Sequence, residues 1–475
     1  MGWHQGGPSR SARAVFGYAQ PSVCFRLVIL KKSRKIRTYV RETVMAKDAT
    51  TSSVVKAGAD DAKRYWLDEG RTAGGFIRKI DHSAYAKGTH PLFNGIKIVD
   101  CDTHFTEPPD LFQRNAPASM KTKLPRVVRV GDADRWFVGD MDFGSIGGNV
   151  IAKDRNKLLG KLAFTTYDQI HPGSYLVKPR LEEMDEMGVW AQICFQNGGL
   201  TQAGSLVALN DEDLAMTIIR GFNDACAERV KESGGRIHCM ATLPYWDKDL
   251  MNKEMRRILD LKIKGVVLPD RPERISQGYL GEDGKTNPFW EDVFEMCSST
   301  GTPINFHINS SLDANSAIWD NLGFDQKLPI HAMLHTLGVC ATMSNFMVSG
   351  ILDKYENLKI GLIESGIGWV PFVLEMMEHQ LAEFRTIENR GLKRRPKEYF
   401  AKNFWVSFWF EQYAPQHMLE QIGLDRVMFE TDFPHPTSLY PGVQEKLVDS
   451  MGGYDYETRK RVLERNAATL YNLPL

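Results

Sequence analysis

Short apolar runs alternate with longer amphipathic segments through most of this chain. After an opening run at 98–105, strand-like stretches recur at 190–196, 237–243, 265–268, 303–308, 358–364, 404–410 and 426–432. Helix-period segments lie between or after them at 211–233, 249–261, 287–300, 330–354, 370–391, 412–422 and 458–470, and a further helix at 180–188 stops at Gly188. Strands covered on both faces read as continuous apolar runs, and eight of them separated by helices predict a (β/α)8 TIM barrel. A doubly wound sheet would place a Gly-rich phosphate turn after the first strand. Here that position holds Asp102-Thr103-His104-Phe105-Thr106-Glu107-Pro108, which is unlike one.

Two regions break the rhythm. Residues 126–130 and 135–138 alternate apolar and polar positions, with Gly144, Gly147 and Gly148 as turn markers, so a hairpin-bearing insertion is expected at about 126–178, lying over the site. Upstream, 60–67 reads as a helix leading into a polar linker that ends near 95. Residues 1–41 hold nine Lys/Arg and no acidic residue, a composition shared with transit peptides. Met45-Ala46-Lys47 followed by a polar stretch reads as an ordinary start, so 1–59 is expected to be a disordered extension. The resulting division is 1–59, 60–95 and a barrel over 96–475.

Composition narrows the function classes. The 475 residues carry no formal net charge, with 43% hydrophobic and 25% charged positions. A polyanion-binding protein needs a basic face, so no nucleic-acid partner is expected. No apolar run approaches the roughly 18 residues that span a bilayer, so no membrane partner is expected either. Seven scattered cysteines without a C-x-x-C pair read as buried thiols of a reducing compartment, which predicts a cytoplasmic protein.

In a barrel, catalytic groups sit at the C-terminal ends of strands. Asp102 and His104 end the first run, and residues i and i+2 of a strand face the same side. His307 ends the fifth run, Glu364 the sixth and Asp432 the eighth, with His435 three residues further on. Two imidazoles and two or three carboxylates at one barrel mouth suit a single divalent ion, Zn²⁺ first, with Mn²⁺ and Fe²⁺ as alternatives. His331 and His335 share a helix face but lack a third ligand, and read as structural or substrate-loop residues. Of the aromatic residues Trp136, Trp319, Phe408, Trp409 and Tyr413, only Trp409 is placed for the pocket.

Several passages jointly resemble the amidohydrolase superfamily, in the branch of aminocarboxymuconate-semialdehyde decarboxylase and related aromatic-acid decarboxylases. They are Asp102-x-His104-x-x-Glu107-Pro108, Arg180-Leu181-x-x-Met184-Asp185-x-x-Gly188, Glu364-Ser365-Gly366-Ile367-Gly368-Trp369-Val370-Pro371, and Asp425 through His435. Asn466-Ala467-x-x-Leu470-Tyr471 also fits. The resemblance implies that Asp102, His104, His307 and Asp432 hold the metal, with Asp102 an acidic variant of a frequent histidine. It also implies that Asp432 manages the proton of a metal-bound water, and that dimers form, as the family often does. Glu364 departs from the pattern, because the decarboxylases usually place a histidine there. A glutamate at that point offers a general base, or a general acid if burial raises its pKa. Catalytic roles therefore fall to Asp432, Glu364 and His435. The expected activity is metal-dependent hydrolysis of a small cyclic or aromatic substrate by an activated water. The alternative is non-oxidative decarboxylation of an aromatic or unsaturated acid, and a binding or scaffold role on the same barrel is the third reading.

Overall fold

Eight parallel strands form where the apolar runs lie. They are β1 (Val99–Phe105), β2 (Ala191–Gln196), β3 (Ile237–Cys239), β4 (Val266–Val267), β5 (Ile304–His307), β6 (Ile360–Ile363), β7 (Phe404–Phe408) and β8 (Val427–Phe429). All seven residues of β1 and all five of β7 are buried, as strands covered on both faces require. The hydrogen-bonded order is β4-β5-β6-β7-β8-β1-β2-β3. A parallel bridge between Ala241, just past β3, and Val266 of β4 joins the two ends and closes the barrel. This computed structural model describes residues 71–474, except 73–74, 115, 147–149, 160–163, 165, 198–199, 202 and 308–317. All of these belong to the unit Val54–Leu475. The expected 60–67 helix, the whole 1–59 extension and the linker's start lie outside the described residues.

The crossover helices form where local chemistry starts and stops them. Helix α1 (Val177–Met187) ends on Gly188 at φ 69°, a left-handed conformation that glycine adopts without strain. Helices α2 (Glu212–Glu232) and α3 (Lys248–Asp260) are N-capped by Asp211 and Asp247, whose carboxylates accept the N–H groups of Leu214 and Leu250. Helix α4 spans Glu291–Thr300. Helix α5 (Phe324–Val348) starts six residues before the expected point and carries Pro329 inside its early turns. It stops where Gly350 turns to φ 77°, and a short helix, Ile351–Lys354, follows. Helix α6 (Val370–Glu383) follows β6. Two helices, Pro396–Asn403 and Val443–Met451, were not expected from the periodicity. No helix among the described residues is long and apolar enough to cross a membrane.

The insertion is a three-stranded antiparallel meander, Arg126–Val130, Ala133–Val138 and Met141–Ser145. Its middle strand alternates half-buried and buried residues, which is the period-2 pattern of a one-sided sheet. A second small sheet pairs Lys157–Leu159 of the insertion with Gly75–Arg78, which pairs in turn with Arg71–Thr72. Part of the expected linker is therefore strand. The rest is tied to the barrel by backbone bonds, including Ala86 N–H to Glu445 and His90 N–H to Gln444.

Candidate active site and metal centre

The strand ends meet as the pleat predicts. Asp102 and His104 project from β1 with 0% and 3% of their surfaces exposed. His104 places Nδ1 3.1 Å from the carbonyl of Gln196 on β2. A carbonyl only accepts, so Nδ1 carries the proton and Nε2 presents a lone pair to the barrel mouth. That Nε2 lies 3.7 Å from Asp102 Oδ1 and 3.5 Å from Asp432 Oδ1. His307, the last residue of β5, places Nε2 3.3 Å from Asp102 Oδ1 and 3.2 Å from Glu364 Oε2.

Glu364 and Asp432 share an uncommon backbone conformation. Glu364 directly follows β6 and Asp432 lies three residues past β8, and both hold positive φ, 56° and 63°. This conformation is costly for non-glycine residues and clusters at functional sites. At Glu364 the turned N–H donates to Glu430 Oε2 at 3.2 Å. At Asp432 the N–H donates to the Asp102 carbonyl at 2.9 Å, and Thr437 Oγ1 donates to Oδ2 at 3.0 Å. Oδ1 is thereby left toward the imidazoles, 2.7 Å from His435 Nδ1. His435 lies 3.0 Å from Asn197 Oδ1 through Nε2 and stacks on His104, with ring centroids 3.9 Å apart and planes 11° from parallel.

Ligand-type atoms fall into two groups that share His104. Asp102, His104, His307 and Glu364 form one, and His104, Asp432 and His435 the other, each within 4.8 Å. Three of the four residues read as ligands from the sequence, Asp102, His104 and His307, come together with Glu364, while Asp432 falls with His104 and His435. His331 and His335 contact each other edge-to-face at 4.4 Å and belong to neither group. Trp409 is half-buried against Phe410, whereas Trp319 and Tyr413 are surface residues and Trp136 and Phe408 are core.

Charge makes this cluster unfavourable without a cation. Asp100, Asp102, Glu364, Glu430 and Asp432 are all buried. Burial pushes the Glu364 carboxyl well up, and the carboxylates of Asp432, Asp102 and Glu430 push the same way. Burial raises Glu430 well above the usual carboxylate range and raises Asp102 against the pull of His307. Burial also drives the His104 imidazole down, reinforced by His435 and His307. Both oxygens of Asp102 and Nε2 of His104 are buried with no hydrogen-bond partner among the described residues. Orphaned atoms of this kind on a buried carboxylate and imidazole, with further carboxylates and imidazoles beside them, fit a divalent cation.

A supporting layer went unassigned in the sequence. Asp100 accepts from Thr431 N–H and Oγ1 and from Gln192, tying β1 to β8 and β2, and burial moves its pKa to about 7. Glu430 accepts from Ser407 Oγ on β7. A sequence signal existed for both: each lies two residues before a candidate ligand, Asp102 or Asp432, and Asp100 shares a strand with Asp102. Arg180 of α1 is fully buried and donates to the carbonyls of His104 and Gly173, each at 2.5 Å.

The family profile described as Amidohydrolase matches residues 99–473. The chain belongs to the amidohydrolase family. Among curated relatives, gamma-resorcylate decarboxylase of Rhodococcus jostii is 27% identical over 319 residues, 62% of this chain and 87% of that protein. The Polaromonas enzyme of the same name is 28% identical, covering 54% and 76%. A 2-amino-3-carboxymuconate-6-semialdehyde decarboxylase of Dictyostelium discoideum is 24% identical, covering 54% and 67%. Solved structures share the fold: an amidohydrolase of Mycobacterium avium subsp. paratuberculosis (TM-score 0.61, 19% identity, 79% of this chain and 99% of that one) and the 5-carboxyvanillate decarboxylase of Sphingomonas paucimobilis (0.54, 18%, 80% and 100%). A 5-carboxyvanillate decarboxylase of Novosphingobium aromaticivorans, solved with bound manganese, matches at 0.53 (18%, 82% and 100%). The protein is an enzyme of this family, and these relatives side with decarboxylation over the hydrolysis first expected.

Proposed function

We propose that this amidohydrolase-family enzyme is a metal-dependent, non-oxidative decarboxylase of an aromatic or unsaturated carboxylic acid. The observation that carries the reading is a buried carboxyl, Glu364, held toward its neutral form 3.2 Å from His307 and within the metal-ligand cluster. The decarboxylases among its relatives support it. Asp102, His104, His307 and Asp432 would hold the ion. When bound, a divalent cation supplies Lewis acidity to the oxygens of the substrate. Zn²⁺, Mn²⁺ and Fe²⁺ all suit this donor set, and the manganese in the Novosphingobium structure makes Mn²⁺ the first to test.

The chain's own residues then supply position and a proton. Glu364, neutral, delivers its proton to the ring or alkene carbon that bears the carboxylate. The bond from that carbon to the carboxyl carbon breaks, its electron pair stays on the substrate carbon, and carbon dioxide leaves. Glu364 is left as a carboxylate and is recharged from solvent. Asp432, tied down by Thr437 and its own N–H, and His435, stacked on His104, hold the imidazole face in place. The enclosed barrel end excludes bulk water, so the carboxylates act in a low-dielectric setting. All six described cysteines are unpaired thiols, which suits the cytoplasm.

Glu364→Gln tests the assignment. It should retain stoichiometric metal, bind substrate, and lose at least a hundredfold in carbon dioxide release. The organic product formed in ¹⁸O-water should contain no solvent oxygen. Incorporation of ¹⁸O would establish hydrolysis instead, and loss of metal in Glu364→Gln would make Glu364 a ligand and not the acid.

A further inference from the structure

The turn after β6 holds Glu364 in a left-handed conformation, and within it Trp369 Nε1 donates to the carbonyls of Ser365 and Gly366, both at 3.0 Å. Ser365 Oγ bonds only to carbonyls of its own turn, Leu362 and Gly366. The turn's free N–H groups are met from the next strand. Glu411, three residues past β7, is mostly buried and receives Ile367 N–H on both carboxylate oxygens, at 2.9 and 3.0 Å, and Gly368 N–H on Oε1 at 2.8 Å. These N–H groups open the chain into α6, so a carboxylate there also meets the positive end of that helix.

The two glycines of the Glu364-Ser365-Gly366-Ile367-Gly368 passage make room for this carboxylate. A Cβ on Gly366, which sits at φ 67°, would stand 2.9 Å from Glu411 Oε2. A Cβ on Gly368 would stand 3.3 Å from Oε1. Any side chain at 366 would be strained by its backbone and would displace Glu411. Glu411 is not among the ligand-type groups at the barrel mouth.

We infer that Glu411 is a positioning residue for the reaction: its carboxylate clamps the 365–368 turn and so fixes where the Glu364 side chain stands at the site. The inference rests on Glu364 being the acid. It links the β7 loop to the acid at β6, so a change in that loop reaches the chemistry without touching substrate.

The test is a double-mutant cycle in the metal-loaded enzyme, with Glu364→Gln as the second variant. Glu411→Ala should lower kcat at least tenfold, leave KM within about threefold, and leave the metal content unchanged. Glu411→Gln, which keeps one acceptor oxygen, should recover most of the lost kcat. In the Glu364→Gln background, Glu411→Ala should cost nothing further. Glu411→Asp withdraws the carboxylate by one methylene and serves if the alanine variant does not fold; it should lower kcat several-fold with the same split. An unchanged kcat in Glu411→Asp and Glu411→Ala, or equal and additive losses in both backgrounds, overturns the inference. If Glu364→Gln itself turns over normally, the acid assignment fails, and that is read separately, from the single variant.

Discussion

Replacing Arg180 by methionine should be among the most destabilising single changes in the barrel. The guanidinium is 0% exposed and donates to three acceptors on different segments: the carbonyls of His104 and Gly173, and Gln192 Oε1 at 3.1 Å. It lies between two aromatic faces, 5.0 Å from the Phe105 centroid and 4.6 Å from that of Phe433. Methionine fills much of the volume but leaves three buried acceptors with no donor, at about 1–3 kcal/mol each. Against this stands the desolvation of a charge, which burial makes costly enough to bring the Arg180 pKa down to about 10. Three stranded acceptors outweigh the recovered desolvation, and Arg180→Met should cost about 3–5 kcal/mol. Urea unfolding of the metal-loaded protein, followed by tryptophan fluorescence, measures it. Since the His104 carbonyl is one of the three acceptors, metal affinity should weaken in parallel. A variant within about 1 kcal/mol of the parent, with unchanged metal uptake, would refute the reasoning.

Two further outcomes follow from the same structure. Chelation should abolish turnover and lower the thermal midpoint, because an ion that binds only the folded state contributes about 3 kcal/mol at a hundredfold excess over its Kd; identical melting with and without chelator would contradict the site. His171 accepts the N–H of Gly173 through Nδ1 at 3.1 Å, and burial, aided by Arg155 and Arg180, holds its pKa at about 4. Below about pH 6.5 the unfolded chain takes up a proton that the folded one refuses, so this residue's contribution to stability falls from pH 6.5 to about 4 and levels off below. His171→Gln should flatten that part of the pH–stability curve, and an unchanged slope would exclude His171 as its source.

The strands were legible because burial on both faces writes a continuous apolar run, and the candidate ligands stood out because those runs end in charge. Helix limits were less so. The start of α5 is hidden by Pro329, which reads as a stop, and Pro396–Asn403 is too short and too charged to show a period. Glu364 was found at its strand end among the carboxylates of the barrel mouth, but its grouping with Asp102, His104 and His307 apart from Asp432 was not, since the reach of a side chain across the barrel depends on strand order. Glu411 was invisible for a related reason. Its partners, Ile367 and Gly368, lie more than forty positions away, and only the pairing of β6 with β7 brings them together. Local chemistry announces itself in a sequence; a clamp between neighbouring loops does not.

The closure of the barrel has a consequence for how it moves. β3 and β4 are short, three residues and two, and they meet through Ala241, whose N–H bonds to Gly265 and whose carbonyl receives Val267 N–H, both at 3.0 Å. All the strands that end in metal-ligand candidates lie on the continuous arc from β5 through β8 to β1. If the barrel is a belt, this is its buckle, and it is fastened away from the charges. A local opening there releases two backbone hydrogen bonds while the imidazoles and carboxylates stay enclosed. The back wall can breathe, and the side that carries the ligand candidates need not follow.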